Sequence, residues 1–120
     1  VEQTGGILTT SAAVTTMTQS GGTWRHLSGV AVTVTINGGY CSYESTGTLT
    51  TLTLAGGELD FRSNQRARTI TNCDLFAGVA FRDPAGTVTF TNGIDLNRCN
   101  LQNVVLELPI NRRLTIGSVA

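Results

Sequence analysis

Short runs in which apolar residues alternate with threonine recur along the chain, and each run is followed by a corner rich in glycine or asparagine. The clearest runs are residues 14–19, 32–36 and 50–54, where two threonines flank one apolar residue. Because successive side chains of a β-strand point to opposite faces, the enclosed apolar residues lie on one face and the threonines on the other. The alternation therefore predicts short strands with one buried and one exposed face.

The runs repeat with a nearly constant period. Gly-Gly pairs recur at intervals of 16, 17 and 18 residues, at positions 5–6, 21–22, 38–39 and 56–57. Glycine accepts the left-handed backbone conformation that a sharp corner requires. The threonine pairs step by 17, 18, 18 and 20 residues: Thr16/Thr18, Thr33/Thr35, Thr51/Thr53, Thr69/Thr71 and Thr89/Thr91. Like residues in like order indicate stacked parallel coils, since antiparallel hairpins would reverse the order.

A second short strand follows each corner, and its residues also match from coil to coil. Aligned on the second glycine of each pair, one position holds Trp24, Cys41 and Leu59, and the position two residues later holds His26, Tyr43 and Phe61. Such matches predict rows of stacked side chains inside the fold. The predicted interior consists of Val14, Met17, Trp24, Val32, Val34, Ile36, Cys41, Tyr43, Leu52, Leu54, Leu59, Phe61, Ile70, Leu75, Val88, Phe90, Ile94, Leu96, Leu101, Leu106 and Ile116.

We therefore expect an all-β protein, a short parallel β-helix (β-solenoid) of five to six coils of 16–20 residues. Parallel crossover connections are overwhelmingly right-handed, so we expect right-handed winding. Residues 14–120 are predicted to form the solenoid domain, with a C-terminal cap that begins at Leu108. Residues 1–13 match the repeat poorly and are predicted to form an extended N-terminal arm.

Composition narrows the possible functions. The 120 residues suit one domain, and only 13% of them are charged, with eight arginines balancing eight acidic residues. A nucleic-acid partner is not expected, because it would require a basic surface. Membrane association is not expected either, because no apolar run approaches the roughly 20 residues needed to cross a bilayer. The first residues also lack the basic and apolar regions of a signal peptide.

Few residues could carry metal or catalytic chemistry. Cys41, Cys73 and Cys99 are an odd number, and their spacings match no metal motif, so we expect buried reduced thiols. The single histidine, His26, fits the predicted row of stacked rings better than a zinc site or a catalytic triad. We expect no metal site and no cofactor.

Paired carboxylates are the remaining catalytic possibility. Glycoside hydrolysis uses two acids about 5–9.5 Å apart, and Asp60, Asp74 and Asp95 each come shortly after a corner. However, Glu44 and Arg62 occupy the same repeat position in adjacent coils, which indicates that part of the charge forms ion pairs between coils. The coils also lack long insertions that could wall a groove. We therefore expect that the protein is not an enzyme.

The ten paired threonines named above form the candidate contact face. A flat grid of hydroxyl and methyl groups resembles the ice-binding faces of β-solenoid antifreeze proteins. The same face could be buried against a symmetric protein partner, because it carries almost no charge. Threonine also simply suits an exposed strand.

The coils of residues 14–117, with their repeated xTxTxNGG pattern, resemble the short β-helices of bacteriophage structural proteins, including capsid decoration (cement) proteins and pieces of tailspikes. The resemblance implies a homotrimer on the capsid surface of a virion, made in the host cytoplasm, that binds and stabilises the major capsid protein shell. The arm would contact the shell through Val1, Glu2, Gln3, Thr4, Ile7 and Leu8. The alternatives are an ice-binding solenoid and a glycan-binding or glycan-cleaving fragment of a tailspike or adhesin.

Overall fold

The structure, a computed structural model, describes residues 1–97, 105–108 and 116–119. In these residues the secondary structure consists of short strands and contains no helix. In chain order the strands are Glu2–Gln3 (β1), Ile7–Thr10 (β2), Val14–Gln19 (β3), Thr23–His26 (β4), Ala31–Ile36 (β5), Tyr40–Tyr43 (β6), Leu49–Leu54 (β7), Glu58–Asp60 (β8), Arg68–Phe76 (β9), Ala80–Arg82 (β10), Val88–Phe90 (β11), Ile94–Asn97 (β12), Val105–Glu107 (β13) and Ile116–Val119 (β14).

The strands stack into two parallel sheets. The first, here the threonine sheet, has the order β1-β3-β5-β7-β9-β12-β14, with β11 also paired to β9. The second, here the charged sheet, has the order β13-β10-β8-β6-β4-β2. Each coil contributes one rung to each sheet, which gives a β-solenoid of about five turns. The predicted fold class is confirmed, and the right-handed winding stays a prediction.

The strands of the threonine sheet bend, and the bend corrects one predicted core residue. In β5, Ala31 and Val34 are buried, while the two residues between them, Val32 and Thr33, both face outward. The same pattern recurs in β3 and β7. Two successive outward residues break the strict alternation of a strand. Val32, predicted to lie inside, is therefore 40% exposed.

Residues 1–13 do not form the predicted extended arm, because they belong to the first coil. Strand β1 pairs with β3, with Gln3 in register with Gln19. Strand β2 pairs with β4, with Leu8 in register with Trp24. The segment satisfies its backbone hydrogen bonds against the second coil, as the later coils do against their neighbours.

The register of β9 corrects a second expectation. Leu52 pairs with Cys73 and not with Ile70, which pairs with Leu49. The step between Leu52 and Cys73 is 21 residues, and the step from Cys73 to Ile94 is also 21, longer than the predicted coils. In the step from Leu52 to Cys73, the extra residues lie in the long connection between β8 and β9.

A buried arginine anchors that connection. The Arg68 guanidinium donates hydrogen bonds to the carbonyl oxygens of Tyr43 (2.6 Å), Arg66 (3.0 Å) and Asn64, and lies 5.1 Å from the Phe61 ring centroid. Burial lowers the pKa of Arg68 from its ordinary value. The side chain thus satisfies two carbonyl groups of the long connection and one at the end of β6, and it caps the interior rings.

A row of stacked rings fills the interior beside the charged sheet and ends at Phe90 of β11, which belongs to the threonine sheet. Neighbouring ring centroids from Trp24 to Phe90 are 5.1–5.6 Å apart, a range suited to tilted aromatic pairs. The predicted rows are confirmed, because Trp24, Cys41 and Leu59 are in register and His26, Tyr43 and Phe61 are stacked. The threonine sheet instead has aliphatic rows inside, in which Met17, Val34 and Leu52 pair in turn.

Part of the predicted C-terminal cap continues the solenoid. Strand β14 pairs in parallel with β12, with Ile116 in register with Ile94. The rest of the predicted cap after Leu108, residues 109–115 and 120, lies outside the described residues, as do Leu101 and Cys99. Of the predicted core, Phe90 and Leu106 are partly buried.

Candidate functional site

Six of the ten predicted threonines form a grid on the outside of the threonine sheet, here called the threonine face. Two rows run across the strands β3, β5 and β7: Thr16, Thr33 and Thr51 in one row, and Thr18, Thr35 and Thr53 in the other. Neighbouring rungs of a sheet are about 4.8 Å apart, so the rows are regular. These three strands contain no charged residue. The face therefore offers hydroxyl and methyl groups only.

The other four predicted threonines lie elsewhere. Thr69, near the start of β9, pairs with Thr89 of β11. Thr71 lies between the paired positions Ile70 and Asn72, and Thr91 follows β11. The longer coil shifts β9 by three positions, so its Thr-x-Thr does not continue the grid.

Acidic residues bound the threonine face at both ends. The row of Thr18 begins with Glu2 in the first coil and continues from Thr53 to Asp74 and then Asp95. The structure thus brings two of the three predicted catalytic carboxylates, Asp74 and Asp95, into register on neighbouring strands. Both lie on the sheet surface and are half-buried.

The concave site at the first coil lies away from these carboxylates. A pocket of about 470 Å³ is lined by Val1 and by residues 10–16, and this lining includes no acidic side chain. Glycoside hydrolysis requires a sugar ring held between two acids. The placement of Asp74 and Asp95 in register does not by itself form such a cleft, so we assign no catalytic role to this pair.

The charged sheet holds its charges in ion pairs. Arg25 of one coil pairs with Glu44 of the next at 3.0 Å. Arg82 pairs with Glu58 and Glu107, each at 2.8 Å and on opposite sides of it along the stack. Ion pairing between coils is confirmed by these residues.

The predicted partners Glu44 and Arg62 do not pair with each other. Arg62 turns back to Asp60, two residues earlier, at 2.9 Å, while Glu44 is taken by Arg25. The sequence alone could not show whether Arg62 pairs with Glu44 or with Asp60, because both carboxylates lie within reach of the long arginine side chain.

Asp60, the third predicted carboxylate, is a structural acceptor in the charged sheet. Its oxygens accept hydrogen bonds from the backbone and guanidinium of Arg62 at 2.9 Å and from the Tyr40 hydroxyl at 2.6 Å. Burial raises the pKa of the Asp60 carboxyl, but the hydrogen bonds from Arg62 and Tyr40 outweigh it, so the pKa is lowered overall. Burial and Asp60 raise the pKa of Tyr40 to about 12. Asp60 is thus held ionised, and both of its carboxylate oxygens accept hydrogen bonds.

His26 is part of a closed hydrogen-bond chain inside the first two coils. Its Nε2 donates to the Gly29 carbonyl oxygen at 2.8 Å, since a carbonyl can only accept. Its Nδ1 therefore accepts from the Thr10 hydroxyl at 2.8 Å, and Trp24 Nε1 donates to the same hydroxyl oxygen at 2.9 Å. Burial lowers the pKa of His26, which favours this neutral ring. The predicted place of His26 in the row of rings is confirmed.

The cysteines that the structure describes are inert. Cys41 and Cys73 are buried and free, as predicted. Burial raises the pKa of both thiols above the ordinary value, so neither supplies a thiolate nucleophile.

The predicted shell-contact residues lie in the first coil of the stack. Val1 and Ile7 are 61% and 81% exposed, and Glu2 and Thr4 are also exposed. Gln3 is instead buried, and its Nε2 donates to the Thr23 carbonyl oxygen at 2.8 Å. The place of these residues in the first coil was missed by sequence reasoning. The signal was the first Gly-Gly pair, whose spacing already placed residues 5–6 in the repeat.

Comparisons with known proteins found no matching family model, no similar curated protein and no similar solved structure. Within residues 1–97, 105–108 and 116–119, no cluster of three or more His, Cys, Asp or Glu side chains could hold a metal ion. A search of the same residues found no helix with the length and hydropathy needed to span a bilayer.

Proposed function

We propose that the protein is a non-enzymatic structural component of a virus particle, a capsid decoration (cement) protein that acts as a homotrimer and stabilises the major capsid shell. The observation that carries the proposal is the threonine face, an outer surface on β3, β5 and β7 that carries no charged residue, whereas the outer surface of the charged sheet carries ion pairs between its coils. The virion assignment and the trimer rest on the resemblance of the coils to phage β-helices.

The free-energy cost of removing side chains from water favours burial of the threonine face against a partner. Removing a charge from water without a partner costs several kcal/mol, whereas a threonine offers a methyl group and one hydroxyl that can be satisfied locally. A partner that covers Thr33 and Thr35 therefore loses little hydration. A partner on the charged sheet would have to desolvate Arg25, which is exposed, and the partly buried Glu44 and Arg82.

The trimer is tested by sedimentation velocity on the full chain. We expect a species of three times the 12.6 kDa of one chain. Thr33→Arg places a charge in the centre of the threonine face and should give monomers. Thr46→Arg adds the same charge at an exposed position off the face and should leave the trimer intact. A monomeric wild type, or a trimer that survives Thr33→Arg, contradicts the proposal.

The capsid partner is tested on virus particles purified by density gradient from material that expresses the chain. We expect peptides of this chain in the particle band by mass spectrometry. Their recovery only from the soluble fraction contradicts a role in the virion.

Ice binding is a second candidate, favoured by the regular spacing of the six threonines of the threonine face. The grid spans three rungs, with Glu2 on the rung before the first and Asp74 on the rung after the last. If ice is the ligand, a dilute solution of the protein shows thermal hysteresis, and Thr33→Arg removes it. The absence of hysteresis in the wild type contradicts this candidate.

A further inference from the structure

The bend in the strands divides the outside of the threonine sheet into two surfaces. The residues after the bend form the threonine face. Before the bend, Val30 and Val32 point outward on either side of the buried Ala31. Ala31 pairs with Val14 and Leu49, whose neighbours along the chain are placed in the same way. This second surface, here called the valine facet, consists of Ala13, Thr15, Val30, Val32, Thr48, Thr50, Thr69 and Thr71.

The valine facet is uncharged and exposes apolar side chains. Val30 and Val32 are 44% and 40% exposed, at neighbouring outward positions of one rung. Thr69 and Thr71 belong to the facet because they flank Ile70, which pairs with Leu49. Neighbouring exposed apolar side chains on a surface without charge are typical of a contact with another protein.

The outer edges of the two surfaces carry opposite charges at one level of the stack. Arg66 is exposed and lies three residues before Thr69, in the connection that leads into β9. Its carbonyl oxygen accepts a hydrogen bond from Arg68, and its guanidinium makes no ion pair within the part of the chain that the structure describes. Asp74 lies near the other end of β9, in the outer row of the threonine face, and Asp95 is its neighbour on the next rung.

We infer that the valine facet of each copy packs against the threonine face of the next copy, around a three-fold axis parallel to the solenoid axis. The inference rests on the proposed homotrimer and names its contact surfaces. Copies related by such an axis lie at the same level, so each strand faces the same strand of the next copy. With both bends toward the axis, the outer edges meet, so Val30 faces Thr35.

This arrangement also brings Arg66 to the carboxylates of the next copy. Arg66 lies at the level of Asp74 and one rung from Asp95, a step of about 4.8 Å that a long arginine side chain spans. Asp74 already interacts within its own chain, so the pairing of Arg66 is tested on Asp95.

The charges favour contact between these unlike surfaces over contact between two threonine faces. Two parallel threonine faces would oppose Asp74 to Asp74, and two antiparallel ones would oppose Asp74 to Glu2. Like charges brought together across an interface are costly. Because the valine facet and the threonine face differ, each copy uses one of each, and a closed ring covers both surfaces on every copy.

Sedimentation velocity on the full chain, with variants mixed, tests which surfaces meet. Val30→Glu and Thr35→Glu should each be monomeric alone, because each places a charge in one of the two surfaces. Mixed, they should form dimers of one copy of each, since each variant retains the surface that the other has lost. Thr9→Glu adds the same charge at an exposed position of the charged sheet and should leave the trimer intact. Circular dichroism verifies that all three variants remain folded.

Charge reversal tests the meeting of the edges. Arg66→Glu should raise the dissociation constant of the trimer at least about tenfold, because it opposes like charges. Adding Asp95→Arg to that variant should recover most of the lost affinity, since an opposite charge then lies one rung from residue 66. An unchanged dissociation constant in Arg66→Glu overturns the inference.

The mixing experiment separates the inference from the proposed trimer. A trimer that survives Val30→Glu but is lost in Thr35→Glu overturns the inference and leaves the trimer standing. Variants that remain monomeric when mixed also overturn it, because they indicate contact between like surfaces. A monomeric wild type contradicts both.

Discussion

The two sheets of the solenoid share one backbone plan but present opposite surfaces. The threonine sheet has aliphatic rows inside and an uncharged outer face on β3, β5 and β7. The charged sheet has stacked rings inside and cross-coil ion pairs outside. Because the coils are held by the backbone ladder and the interior rows, the outward residues are free to differ. The difference indicates which surface can be covered at low cost, namely the threonine face on β3, β5 and β7, where there is no charge to desolvate.

The interior side chains of both sheets should stabilise the fold. Truncating one of them should therefore give the largest loss of stability among the variants described below. Phe61→Ala removes a ring between Tyr43 and Phe81, and Leu52→Ala is its counterpart in the threonine sheet. We expect the free energy of unfolding to fall by about 3–5 kcal/mol for Phe61→Ala and about 2–5 kcal/mol for Leu52→Ala. Urea titration followed by circular dichroism measures both. A large loss for only one variant would mean that one sheet alone holds the fold.

A smaller loss is expected from the anchored carboxylate of the charged sheet. Asp60→Asn removes the charge that accepts hydrogen bonds from Arg62 and Tyr40, and should cost about 1–3 kcal/mol. Because the folded pKa of Asp60 is lowered, its contribution is present above the unfolded pKa and is lost as the pH falls through the folded pKa. Urea titrations from about pH 5 to about pH 3 should therefore show a shallower loss of stability in the variant. An unchanged slope would contradict this role for Asp60.

His26 should make stability depend on pH in a separate window. Its folded pKa is lowered, so the unfolded chain takes up the proton first, and stability falls as the pH drops below the ordinary value of 6.5. The chain contains one histidine, which makes the assignment direct. His26→Phe keeps a ring in the row and should abolish this slope. Thermal unfolding midpoints at mildly acidic and mildly alkaline pH measure it, and a slope that persists in the variant would assign the effect elsewhere.

The smallest effect is expected on the exterior of the charged sheet. Arg25 is 49% exposed, and an exposed ion pair contributes little to stability. Arg25→Ala should therefore leave the urea midpoint within the error of the measurement. Thr33→Val on the threonine face serves as the matched exterior control. A marked loss in either variant would show that the outer surface, and not only the interior, holds the coils together.

The repeat itself was readable from the sequence because stacking imposes it locally. Gly21 and Gly38 are required by close backbone approach, and His26, Tyr43 and Phe61 stack as their spacing predicted. These signals depend only on matching positions in successive coils. They were sufficient for the fold class and for most of the interior.

The errors arose where a long-range register decided the outcome. The Thr-x-Thr of Thr69 and Thr71 imitates the repeat, but the long connection anchored by Arg68 moves Cys73 opposite Leu52. Residues 1–13 lack the Thr-x-Thr signal, although Gly5 and Gly6 retain the spacing, so their place in the first coil was missed. Periodicity could not reveal either feature, because both depend on which coil a segment packs against.

The coil register is tested most directly by NMR, through nuclear Overhauser effects between backbone protons of successive rungs. The account predicts contacts of Val34 with Leu52, and of Leu52 with Cys73. Contacts of Leu52 with Ile70 in place of Cys73, or cross-strand patterns of antiparallel pairs, would contradict the parallel stack from which both surfaces are derived.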